Sequence, residues 1–270
     1  YDIATNTWST GASAPFSASA TRWTSQLYNG KIYCPEDGGI ALHIYDIATN
    51  TWSIGATAPA SIERRTSQLH DGKIYCPASG GTALHIYDIA TNTWSTGATA
   101  PASLAKYTSQ LYNGKIYCLR SGGTALHIYN ISTDTWSTGA SAPSAASRQT
   151  SQLYNGKIYC PQSNGTALHI YDIATDTWSI GATAPASAER RTSQLYNGKI
   201  YCPASGASLH IYDIATNTWS TGASTPSTEK YTSQLYNGKI YCPVGWGTVL
   251  YIYDIATDTW STSASAPASA

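Results

Sequence analysis

The sequence predicts an all-β protein: a β-propeller of four-stranded antiparallel blades, with six blades favoured and seven the alternative. Three observations carry this. A unit of about 42 residues recurs along the whole 270-residue chain. Its segments are rich in Tyr, Ile, Thr and Trp, which suit strands. Gly and Pro recur too often for long helices.

Two motifs define the unit. Tyr-Asp-Ile-Ala-Thr-Asn-Thr-Trp, or a near copy, starts at Tyr1, Tyr45, Tyr87, Tyr129, Tyr171, Tyr212 and Tyr253. Thr-Ser-Gln-Leu-Tyr-Asn-Gly-Lys-Ile-Tyr-Cys, or a near copy, starts at Thr24, Thr66, Thr108, Thr150, Thr192 and Thr232. The period is too long for ankyrin or tetratricopeptide arrays.

Within one unit, residues 24–28 are read as the first strand and 31–34 as the second. Asn29-Gly30 between them is a hairpin signal, because both central positions of a type I′ turn need positive φ. Residues 41–47 alternate Leu42 and Ile44 with His43 and Tyr45, the period of a third strand. Residues 51–54 form the fourth, after a polar turn. Six inner hairpins against seven outer ones leave residues 1–15 as a spare or closing outer hairpin. A seven-bladed ring would lack one inner hairpin. The spare copy could compete for the closing position or promote exchange between otherwise monomeric chains.

The pattern resembles the kelch repeat. The residues that carry the resemblance are a Gly pair after the second strand, then an aromatic, then a Trp. They are Gly38-Gly39, Tyr45 and Trp52; Gly80-Gly81, Tyr87 and Trp94; Gly122-Gly123, Tyr129 and Trp136. Arg22, Arg64, Arg148 and Arg190 match the family's Arg before the first strand. The Gly pair degrades to Asn164-Gly165, Gly206-Ala207 and Gly245-Trp246-Gly247, and Cys-Pro ends the second strand in five units. The resemblance implies one propeller over residues 1–270, with the repeated Trp packed between blades.

The units differ mainly in two windows, one before the first strand and one after the second. In an up-and-down blade both lie on the same face, where binding chemistry usually sits. That face carries nine of the 15 Lys and Arg residues against five acids, so net neutrality hides a polar disc. Arg22, Trp23, Arg64, Arg65, Lys106, Tyr107, Arg120, Arg148, Gln149, Arg190, Arg191, Lys230, Tyr231 and Trp246 are the candidate ligand-binding residues. Aromatics and Arg anchor interfaces. A protein or acidic peptide is the expected partner class.

Other chemistry is weaker. His43, His85, His127, His169 and His210 share one position of the repeat, so they are spread over different blades and cannot share a metal. The six Cys, Cys34 to Cys242, are likewise one per blade, beyond bridging distance, and read as small buried hydrophobes. No nucleophile–base pair or phosphate cradle stands outside the repeat. The expectation is therefore a non-catalytic binding scaffold with no cofactor and no metal.

Two alternatives remain open. One is a multivalent glycan-binding lectin with repeated sites. The other is a recently amplified or designed symmetric propeller with no ligand. A net charge of zero argues against nucleic acid, and no apolar stretch suits membrane insertion. The absence of Met reads as a trimmed or engineered chain. The charge-poor surface favours secretion, whereas unbridged thiols favour a reducing compartment.

Overall fold

Each unit folds into one four-stranded antiparallel sheet. In the first, β1 (Gln26–Tyr28), β2 (Lys31–Pro35), β3 (Leu42–Asp46) and β4 (Thr51–Ile54) are neighbours in chain order. Five further blades span 68–96, 106–138, 152–180, 194–224 and 234–262. The computed structural model describes all residues except 16–23, 104–105, 205–207, 225–231, 244–247 and 268–270. Among the described residues there is no helix, and the architecture is a six-bladed β-propeller.

Turn chemistry sets the register. Asn29 (φ 46°) and Gly30 (φ 71°) supply the two positive φ values of the β1–β2 turn. In the β3–β4 turn, the Asp46 carboxylate accepts from the Ala48 and Thr49 amides at 3.0 and 3.1 Å. This is an Asx turn, which explains the repeated Asp.

The first strand is shorter than the sequence suggested, starting at Gln26 rather than Thr24. Proline explains the difference. Pro35 ends β2 and has no N–H to donate to a first strand. The third blade has Leu119 instead. There the second strand runs Lys115–Arg120, and its partner strand extends back to Lys106.

The chain divides into two compact units, Gly11–Ala142 and Tyr1–Thr10 with Pro143–Ala270. In each, the core lies between successive blades. Tyr33 and Leu42 of one blade pack on Ile74, Cys76 and Tyr87 of the next. Tyr159 and Leu168 pack likewise on Ile200, Cys202 and Tyr212. Each such aliphatic or aromatic side chain contributes about 1.5–3 kcal/mol on burial. The Trp indole adds a polar tie: Trp94 donates to the Ala56 carbonyl at 2.8 Å, and Trp219 to Ala182 at 2.8 Å. This agrees with the packing role that the sequence pattern implied for Trp.

At the other end of the strands, hydroxyls clasp successive blades. Thr66 Oγ1 meets Ser109 Oγ at 2.7 Å, and Thr192 Oγ1 meets Ser233 Oγ at 2.6 Å. The Gln68 and Gln194 amides donate to the same serines.

The N-terminal segment forms a minimal hairpin bridged at Asp2 and Thr7. Trp8 donates to the Ala264 carbonyl at 2.9 Å, and the Ala264 amide donates to Asn6 at 3.2 Å. These are the contacts that Trp219 and Asn217 make with Ala182. The spare outer hairpin therefore docks on the sixth blade as a following outer hairpin would.

Candidate functional site

The two variable windows are joined by a buried arginine. Arg190 is 0% exposed. Its Nη1 donates to the carbonyls of Gln162 at 2.8 Å and Gly165 at 2.6 Å, in the loop of the preceding blade. Its Nη2 donates to Ala186 O at 2.8 Å and to His210 Nδ1 at 2.6 Å. The guanidinium lies 5.5 Å from the centre of the Trp219 ring.

Arg64 repeats this arrangement with Glu36, Gly39, Ala60, His85 and Trp94. Arg148 pairs with Ser144 O, His169 and Trp178. The local sequence explains the arrangement. Loops cannot satisfy all their own carbonyls, and the five-donor guanidinium fork reaches several at once. The ring beneath adds a cation–π contact.

Burial drives the electrostatics. Desolvation, and then the facing arginine charge, push His85, His169 and His210 down to about 4. They are neutral at pH 7 and accept the guanidinium proton through Nδ1. Burial also raises the Cys76, Cys160 and Cys202 thiols to about 12. Cys76 and Cys202 sit in the interblade cores as unreactive small hydrophobes.

This corrects part of the sequence reading. Arg64, Arg148 and Arg190 are frame residues inside the fold and do not face a solvent-borne ligand. The sequence signal for this is partial: the sixth unit has Lys230 in place of Arg and Tyr251 in place of His, but the third has Lys106 and keeps His127.

The frame leaves other candidates at the surface. Arg65 is half-buried, 3.4 Å from the Glu63 carboxylate and 4.8 Å over the Tyr107 ring. Arg191 is held by Glu189 at 2.5 Å. Arg120 is exposed and Gln149 half-buried. Arg22, Trp23, Lys230, Tyr231, Trp246 and the Lys106 side chain lie outside the described residues. The described part of this face is therefore less cationic than a residue count implies, because three charges are buried and two are paired.

A second feature lies on the Asn-Gly turn side and was not singled out from the sequence. A groove of about 840 Å³ runs between the blades at 152–180 and 194–224, lined by Tyr154, Asn155, Tyr196, Asn197, Asp213 and Ala215. A smaller copy of about 450 Å³ follows, lined by Tyr196, Asn197, Asn237 and Asp254. Among the described residues no group of His, Cys, Asp and Glu is placed to hold a metal ion.

No protein-family model and no curated protein matches the sequence. Solved structures do match. One is the crystal structure of the computationally designed Ika8 protein, with a TM-score of 0.67 and 13% identity, covering 89% of this chain and 73% of that one. At that identity the likeness is one of fold.

Proposed function

We propose that the chain is a non-catalytic binding scaffold that recognises a protein or acidic peptide through its variable loop face. One observation carries the reading. Before the second, fourth and fifth blades, the repeat-to-repeat differences sit in windows tied down by a buried Arg–His–Trp frame. Rigid loops bind with less ordering cost. The surface groups Arg65, Tyr107, Arg120 and Arg191 then supply the contacts. The kelch-like placement of Arg, Gly, Tyr and Trp supports the same reading.

The test is a titration with a glutamate-rich peptide at low and high salt. Joint substitution of Arg65→Glu, Arg120→Glu and Arg191→Glu should abolish binding while leaving the fold intact. Binding that survives this change excludes the face. The likeness to a designed propeller supports the rival in which the symmetric ring has no ligand, and the rival predicts no binding in either form.

The turn-side grooves favour one second reading, a multivalent lectin. Tyr, Asn and Asp side chains recur in successive grooves, and identical sites gain avidity. Calorimetry with a hit from a glycan array would then give several equivalent sites per chain. A single site would exclude it.

A further inference from the structure

We infer that the sixth blade, together with the N-terminal hairpin docked on it, forms an acceptor for one additional β-hairpin of the repeat's inner sequence. The occupant is a hairpin of that sequence chemistry carried by a different partner protein.

The argument starts from what the fourth and fifth blades do in the same compact unit. Thr150 and Thr192 are buried, each against the serine of the next inner hairpin at 2.7 and 2.6 Å. Gln152 and Gln194 donate to those serines. The sixth blade carries the same groups, Thr232 and Gln234, and both are exposed. Tyr236 beside them is 53% exposed, whereas its counterparts Tyr154 and Tyr196 are half-buried.

The outer half of the same interface is already built. Tyr1 stands 6.4 Å from Tyr241, as Tyr212 stands 6.1 Å from Tyr159. Trp8 and Asn6 tie to Ala264. The inner half of this established contact is its direct continuation.

The acceptor also specifies its occupant. Asp172, Asp213 and Asp254 each pair with a lysine from the adjacent inner strand. Asp2 holds the same place in the repeat and faces no lysine among the described residues. Its carboxyl is held below the usual carboxylate range by the Thr5 and Ala4 amides, so it is charged and ready for one. Ile3, next to it, is 42% exposed. In every complete blade the strand equivalent to Tyr1–Ile3 pairs on this edge with the strand Lys-Ile-Tyr-Cys. The occupant therefore needs a Ser for Thr232 and Gln234, and a Lys for Asp2. It also needs an Ile-x-Cys face for Tyr241. Those are the residues of Thr-Ser-Gln-Leu-Tyr-Asn-Gly-Lys-Ile-Tyr-Cys.

The probe is a cyclised synthetic peptide containing Thr192–Cys202, titrated against the full chain by fluorescence anisotropy. Cyclisation lowers the ordering cost of a short hairpin. Saturable binding at one site is expected. The double variant Thr232→Val with Gln234→Ala should weaken it about tenfold, the effect of losing one or two buried hydrogen bonds. Asp2→Lys should abolish binding, and a peptide carrying Lys199→Asp should restore it. No saturable binding overturns the inference, as does binding indifferent to Asp2→Lys. A concentration-dependent dimer that the peptide does not dissolve overturns it too, because the occupant would then be a second copy.

Discussion

Arg190 Nη2 lies 2.6 Å from His210 Nδ1, and both residues are buried. Arginine has no proton to lose in this range, so the imidazole must present its lone pair. The pair is thus a charged donor on a neutral acceptor, set between two loops whose carbonyls accept from Nη1 and Nη2, while the buried Nε–H has no partner. Arg190→Ala strands these carbonyls and empties a site of full side-chain size. It should cost about 3 kcal/mol, as for other broken buried charge networks. Urea denaturation measures it, and a cost under about 1 kcal/mol would mean the loops hold themselves.

The same geometry makes stability depend on pH. Burial, followed by the arginine charge, lowers His85, His169 and His210 to about 4 from an ordinary 6.5. Between those values the unfolded chain binds more protons than the folded one. Stability from these histidines is therefore full above pH 6.5 and falls as pH drops toward 4. Thermal melts across this window should show the midpoint falling with acid. His210→Gln should reduce the slope. A flat profile would place the histidines in contact with water.

Much of this was legible in the sequence, for identifiable reasons. A repeated Asn-Gly turn and alternating Leu42-His43-Ile44-Tyr45 fix hairpin and strand without tertiary help. The blade order follows from the repeat. Strand ends were less legible, because Pro35 against Leu119 decides whether the first strand reaches back to its start. The role of arginine was least legible. Arg64 and Arg65 are adjacent and chemically alike, yet one is buried and the other half-exposed. Both precede the first strand of their blade, which begins at Gln68, so no strand alternation marks which of them turns inward.

The inner turns carry a backbone requirement that can be tested singly. Gly198 has φ +71°, and only the far end of Tyr154 comes near the position a Cβ would take. The cost of Gly198→Ala is then conformational, about 1 kcal/mol. Asn197 at φ 46° tolerates the left-handed region better than most residues. Asn197→Val should cost more than Asn197→Asp in the same denaturation assay. Equal costs would show that the turn is not of the type I′ kind.

The six cysteines occupy one position of the repeat but do not share one environment. Cys76, Cys118, Cys160, Cys202 and Cys242 are buried, whereas Cys34 is only half-buried. Cys76, Cys160 and Cys202 are raised to about 12 by that burial, and a thiol reagent needs both access and thiolate. Ile32, two residues before Cys34, is half-buried where Ile74, Ile158 and Ile200 are buried. This face of the first blade is thus more open than the same face of the second and fifth blades, which packs on the blade before it. Titration of the native chain with an aromatic disulfide reagent should show one fast thiol. The other five should react only on unfolding, and Cys34→Ser should remove the fast phase alone. Six thiols reacting together would mean that the blades part in the native state. No fast thiol at all would mean that this face of the first blade is covered in solution.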